Sequence, residues 1–334
     1  MLTRILAAGF VLAGLPALAN AAIIDNGTIQ MGVDTLGQLN VGGGSPSSGG
    51  VSATGLRYMP YNYEATAPGC LCEGWGVGIG ETGAAGYANN SSGTAGLTSV
   101  SFTSTGSTAK SVVTVNGTDL RVTHDFAPAS ETSNLYRVKV TIENTGTTNI
   151  ADLRYTRTFD WDVEPTAFNE YVTIKGTGTT SSLRYANNNG FENSNPFASR
   201  GPLGGAPAMT DLSDFGPLDQ GSNFDFGFGK LEAGKSYSFD IYYGAAATET
   251  EALAALGRVK AELYSLGQSS LDPAGTGSGP GGRPTATFIF GFTGVGGDVI
   301  VPDPDPAPVP VPASALLLLG GLGLLPLARR RRAG

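Results

Sequence analysis

Three acidic side chains at alternate positions, Asp160, Asp162 and Glu164, are the residues of this sequence best placed to do chemistry. They close the segment 151–164, in which Leu153, Tyr155, Arg157, Phe159, Trp161 and Val163 alternate with Arg154, Thr156, Thr158 and the three acids. Period-two alternation predicts a strand, and residues two apart on a strand share a face at about 6.5–7 Å. The acids therefore form a carboxylate ladder on one side of a sheet. Like charges at that spacing repel, and a divalent cation relieves the repulsion. Hard oxygen donors suit Ca²⁺, with Asn169 and Glu170 beyond Pro165 as further donors. Two carboxylates also serve glycoside hydrolysis as acid and as base or nucleophile. Trp161, the aromatic at hand for sugar stacking, falls on the opposite face of a regular strand. The plainest reading is a solvated acidic face beside Arg154.

Few other residues offer reactive groups. The only cysteines, Cys70 and Cys72, sit within the Gly-rich stretch 68–76. In an oxidising compartment, two positions apart, they read as a disulfide closing a very small turn. A redox or metal-binding loop is the alternative, with Glu73 as the further ligand nearby. The single histidine, His124, shares the apolar face of a predicted strand with Leu120, Val122 and Phe126, while Asp125 lies on the other face. That placement denies it the His–Asp hydrogen bond of a nucleophile triad. Asp211, Asp214 and Asp219 fall in the loop-rich stretch 181–221 without the spacing of a calcium loop. No phosphate-binding loop, zinc pattern, nucleophile elbow or helical repeat occurs. The expectation is a protein that is not an enzyme, with Ca²⁺ as the one cofactor its residues suggest.

The elements that must position these groups are strands. Gly makes up 50 of 334 residues and only 14% are charged, a composition of turn-rich β structure. The fold expected is an all-β antiparallel sandwich spanning 22–298, in one body or two lobes split near residue 130. Asn116-Gly117 marks a tight turn between short strands. Tyr136 to Ile142 and the segment 151–164 read as a hairpin turning at 144–149. Phe224 to Phe228 and Tyr237 to Tyr243 read as another, turning at 229–234. Glycines and serines at 42–50 read as a flexible loop. One accessory helix is expected, opened by a Thr248/Glu251 capping box, with Leu253, Leu256, Val259, the Lys260 stem and Leu263 as its apolar stripe and Gly267 as its stop.

Both ends carry addresses. Residues 1–21 have the basic start, apolar run and small-x-small site of a signal peptide. A proline-rich stalk occupies 299–312, extended at about 3.1 Å per residue. Then come Val309-Pro310-Val311-Pro312-Ala313-Ser314, an apolar run to Ala328, and Arg329, Arg330, Arg331 and Arg332. As a helix the apolar run of 313–328 reaches about 24 Å, against about 30 Å of hydrocarbon, so it crosses a bilayer only marginally. The arginines place the tail inside and the body outside. This three-part tail resembles the VPLPA variant of the PEP-CTERM sorting signals of Gram-negative bacteria, with Val311 where that variant has Leu. The resemblance covers only this tail. It implies recognition and tail removal by an exosortase, after export by the Sec machinery, and a destination at the cell surface or in an extracellular polysaccharide or biofilm matrix.

Arg4 and the four tail arginines account for five of the 20 Lys+Arg and none of the 28 Asp+Glu, which leaves fifteen basic against 28 acidic residues in the body. That sign disfavours nucleic acid and anionic surfaces unless a divalent cation bridges them. The expected function is that of an exported structural or adhesive protein of the cell surface or matrix. A calcium-dependent carbohydrate-binding module is the alternative, and a secreted glycoside hydrolase a more distant one.

Overall fold

The computed structural model of the chain describes residues 21–301. Runs of alternating apolar and polar residues form antiparallel strands throughout. The chain opens with β1 (Ala21–Asp25), β2 (Ile29–Asp34), β3 (Leu56–Tyr58) and β4 (Tyr63–Glu64), which make a small sheet in that order. There follow β5 (Gly74–Ile79), β6 (Ala84–Asn89), β7 (Leu97–Ser104), β8 (Ala109–Val115), β9 (Leu120–Pro128), β10 (Leu135–Asn144) and β11 (Ile150–Trp161). Next come β12 (Glu170–Lys175), β13 (Leu183–Asn187), β14 (Leu212–Leu218), β15 (Gln220–Leu231) and β16 (Ser236–Ala246). The helix α1 (Glu249–Arg258) leads to β17 (Leu263–Ser269) and β18 (Thr287–Thr293). A nine-stranded sheet has the order β14-β12-β17-β18-β16-β10-β9-β8-β7, and a five-stranded sheet the order β13-β15-β11-β5-β6.

The two larger sheets bury their apolar faces against each other in a β-sandwich-like arrangement. Phe290 of β18 meets Phe159 of β11 with ring centroids 5.2 Å apart, Phe292 meets Phe224 of β15 at 5.3 Å, and Phe239 of β16 meets Tyr155 of β11 at 5.0 Å. Val138, Val140 and Ile142 of β10 join the same core, as do Ile24, Met31 and Leu56 of the small sheet.

Both expected hairpins prove to be arches. β10 pairs with β9 and β16 in the nine-stranded sheet, while β11 pairs with β15 and β5 in the other. β15 and β16 likewise lie in different sheets. Alternation fixes which side chains share a face but not which strand lies alongside, and a Gly-containing loop of four or five residues can turn within a sheet or cross between two. The Asn116-Gly117 turn does join paired strands, β8 and β9, with Gly117 at φ 73°. Strands from both sides of residue 130 share both larger sheets, β9 pairing with β10 and β5 with β11, so no lobe boundary lies there.

The helix is shorter than its apolar stripe suggests. Thr248 caps it, its hydroxyl accepting from the Glu251 amide at 3.2 Å, while the Glu251 carboxylate accepts from the Ala247 amide at 3.2 Å. Ala252, Ala255 and Leu256 pack on the outer face of the nine-stranded sheet with Tyr242, Tyr264, Leu266 and Ile289. Lys260, at φ 57°, ends the helical course. Leu263 to Gly267 belong to β17, which is paired on both sides and buried along its length. A strand buried on both faces loses the alternation that would distinguish it from helix.

Residues 1–20 and 302–334 lie outside the described residues, and with them most of the expected leader and stalk and all of the sorting motif, apolar run and arginine cluster. At the boundary, Ile300 donates its amide to the Ala261 carbonyl at 3.1 Å and packs against the helix layer. Among the described residues no helix is long and apolar enough to cross a membrane.

Candidate metal centre

The acidic residues that converge are Asp160, Asp162 and Asp219, whose carboxylate oxygens lie within 4.8 Å of one another. Two stretches of chain deliver them. Asp160 is the penultimate residue of β11, opposite Gly221 of β15. Asp162 lies one residue past that strand, its amide held by the Ala65 carbonyl at 2.8 Å. Asp219 is the single residue between β14 and β15. The chain comes so close to Asp160 that a Cβ on Gly190 would lie 2.5 Å from its Cα and 2.6 Å from Oδ1. Glu170, the first residue of β12, adds a fourth carboxylate, one oxygen of which accepts from the Val163 amide at 3.2 Å.

This cluster is buried rather than solvated. Asp160 is 1% exposed, and Asp162 and Glu170 are fully buried, while Asp219 is partly open to solvent. Among the described residues, Oδ1 of Asp160, both oxygens of Asp162, Oε2 of Glu170 and Oδ1 of Asp219 have no hydrogen-bond partner. Buried ionised oxygens without partners are costly, so such a group either keeps its proton or meets a cation. Burial, reinforced by Asp162, Asp219 and Glu170, pushes the Asp160 carboxyl well above its ordinary range. Burial, with Asp219 and Glu64, raises Asp162 to about 8. Burial, with Asp162 and Asp219 adding to it against the Asn169 amide, raises Glu170 to about 9. Ca²⁺ takes its oxygens at about 2.3–2.6 Å, so two oxygens on one ion lie at most about 5 Å apart, and the spacing within 4.8 Å is compatible with a shared ion. Ca²⁺ takes six to eight donors, so waters or ligand hydroxyls reaching it from the Asp219 side would have to complete the set.

The ladder expected from the sequence is broken at its far end. Regular strand stops at Trp161, and the backbone then turns through Glu164–Pro165, a cis peptide, and Phe168 at φ 71°. Glu164 leaves the other two acids. Its Oε1 accepts from the Ser47 hydroxyl at 2.5 Å and its Oε2 from the Glu64 amide at 3.1 Å. It is 3% exposed, so none of the three is the solvated face that alternation suggested. The loop 42–50 is accordingly tied down, with Arg57 donating to the Ser45 carbonyl at 2.6 Å and Asn62 to that of Pro46 at 2.9 Å. Arg154 turns to Asp152 at 2.5 Å. Asn169 donates to Ser270 at 3.1 Å on the surface, and Trp161 donates to Ser265 at 3.0 Å within the core.

The other candidates take structural places. Asp211 accepts from Thr177 and Asp214 from Thr173, each joining β14 to the turn or strand beside it. His124 is fully buried, its Nε2 3.0 Å from the Tyr155 hydroxyl and its ring 4.4 Å from that of Trp75. Burial, with Arg157, holds it well below its ordinary range, so it stays neutral. Cys70 and Cys72 are joined as a disulfide, and Cys70 Sγ lies 3.2 Å from Oδ2 of Asp160. Glu73 instead points into the sandwich, where its carboxylate meets Arg157 Nη2 at 2.5 Å, the Tyr243 hydroxyl at 3.0 Å and the Leu39 amide at 2.6 Å.

In sequence Asp219 is only one of the loop acids, and its membership in the cluster rests on a pairing within the five-stranded sheet, β11 with β15, that carries no mark in sequence. The buried Arg157–Glu73 pair did leave one: Arg157 falls in phase with Tyr155 and Phe159 on the apolar face. Comparison with protein-family models and with curated proteins finds no match to this chain.

Proposed function

We propose that this chain is an exported, non-enzymatic β protein of the cell surface or extracellular matrix whose body is fastened by one divalent cation, Ca²⁺, at Asp160, Asp162 and Asp219. The observation that carries the cation is the set of buried carboxylate oxygens without partners, converging from β11, the turn after it and the β14–β15 connection. A cation there ties the end of β11 to the β14–β15 connection, two stretches far apart in sequence. Export and exosortase sorting rest on the leader pattern and on the resemblance of the tail, both outside the described residues. The experiment is thermal melting of the full chain with Ca²⁺ and with a chelator. A lower melting temperature in chelator supports the cation, and identical melting curves exclude it.

Calcium-dependent carbohydrate binding is favoured by one further observation. Phe168 is 50% exposed and Phe191 41% exposed. Phe168 packs at Gly69 beside Asp162, and Phe191 follows Gly190, which abuts Asp160. Apolar rings beside an open cation are what a sugar face and its vicinal hydroxyls need. Glycan binding that requires Ca²⁺ and falls in Phe168→Ala supports this second reading, and binding unaffected by chelator contradicts it.

A further inference from the structure

The disulfide lies against the acidic cluster, and Asp160 belongs to both. The Cys70 and Cys72 sulfurs and a carboxylate oxygen of Asp160 lie within 4.8 Å of one another. A disulfide sulfur has no proton to donate, so the 3.2 Å approach of Cys70 Sγ to Asp160 Oδ2 is no hydrogen bond and leaves that oxygen without a donor. The other oxygen, Oδ1, has no partner, and the residue is 1% exposed. The loop is held independently of the sulfur–sulfur bond. The Cys72 carbonyl accepts from Asn89 Nδ2 at 2.6 Å, and β5 begins two residues on. Cys70 is partly exposed, which gives a reductant a sulfur to attack, while Cys72 is 2% exposed.

We infer that this triad is a redox-gated site for a thiophilic divalent cation of the Zn²⁺ class, closed to it while the disulfide stands and opened by reduction. A dithiol reductant attacks Cys70, passes through a mixed disulfide and leaves as a cyclic disulfide. The protein disulfide gains the two electrons and two protons that the reductant loses. The metal then binds both sulfurs as thiolates, releasing their two protons, with Asp160 as oxygen donor and an open fourth position for water. Thiolates select such an ion over Ca²⁺, and three protein ligands with one open position suit its tetrahedral preference. Because Asp160 is shared, occupation by the thiophilic ion removes one ligand from the acidic cluster, and reduction changes which cation this corner of the protein holds. The inference uses Asp160 but does not need Ca²⁺ to bind.

The test is titration of the full chain with Co²⁺, a spectroscopic stand-in for Zn²⁺, after anaerobic reduction and removal of reductant. The expected result is a thiolate-to-cobalt charge-transfer band saturating at one equivalent. The band is absent from the oxidised protein and from Cys70→Ser/Cys72→Ser. In Asp160→Asn, which keeps both thiols, affinity falls about tenfold or more. No band in the reduced wild type overturns the proposal, as does a band whose affinity is unchanged in Asp160→Asn. Ca²⁺ titration of the oxidised protein reads the calcium proposal separately, so either can fail without the other.

Discussion

At the scale of residues, Asp162 shows most plainly what a buried carboxylate demands. Both of its oxygens lack partners, and its environment raises it from 3.8 to about 8. Glu170 rises from 4.5 to about 9. In the cation-free protein both groups keep their protons across a range where the unfolded chain has lost them. The folded state therefore binds more protons than the unfolded state between about pH 4 and about pH 9, and stability falls as pH rises through that window. Denaturant titrations in chelator should show this decline, and saturating Ca²⁺ should flatten it by replacing the protons. A chelator series in which stability rises with pH across that window would show that these groups are not held as described. Asp162→Asn replaces a carboxyl that is held protonated without cation by a neutral amide and should not lower stability in chelator, yet should abolish the Ca²⁺-dependent gain. That gain in the wild type is about 2.7 kcal/mol when free Ca²⁺ is a hundredfold above its Kd. Asp160 and Asp162 were legible as metal-ligand candidates from their spacing, but their burial was not. Alternation on one strand says nothing about what covers its second face.

Elements decide which acids meet. β11 carries Asp160 to the rim of the five-stranded sheet, and Gly190 and Gly221 let neighbouring backbone close over it. Gly190→Ala places a methyl group against Asp160 Oδ1 and should weaken or abolish the Ca²⁺-dependent rise in melting temperature. An unchanged rise would mean that the cation does not sit at this oxygen. Deeper along β11, Arg157 bridges the sheets through Glu73 and Tyr243, all three fully buried. Arg157→Met should cost about 3–5 kcal/mol by leaving Glu73 unpaired, and the double variant Arg157→Met/Glu73→Leu should recover part of the loss. Denaturant unfolding of the two variants checks this, and a double variant less stable than the single would argue that the pair contributes more than its desolvation cost. Strand positions, the Thr248 cap and the Asn116-Gly117 turn were readable from local pattern. Strand partners were not. The 144–149 and 229–234 connections cross between sheets, and it is this crossing that sends β11 and β15 side by side to bring Asp219 to Asp160.

For the whole molecule, the excess of acids has a local expression. Four of them gather with Glu64 nearby, and Asp162 feels both Asp219 and Glu64. A cation that neutralises this corner also joins two stretches of chain far apart in sequence, so its loss should be felt as a global change in unfolding and not as local fraying. The leader and tail patterns make a further prediction at this scale. Intact mass of the protein from its native host should end near Ser314, with or without an added group, and a mass that retains Arg329 to Arg332 would mean a simple membrane anchor instead of sorting. The proposed addresses at the ends are short contiguous patterns, the kind a sequence displays directly, whereas the candidate site of the body is assembled from residues up to 59 positions apart, Asp160 and Asp219. Calorimetric titration of Ca²⁺ into the oxidised, chelator-stripped full chain, beside Asp162→Asn, tests the central claim most directly. One Ca²⁺ per wild-type chain and none in the variant is the predicted result. No binding to the wild type, or equal binding to both, would contradict it.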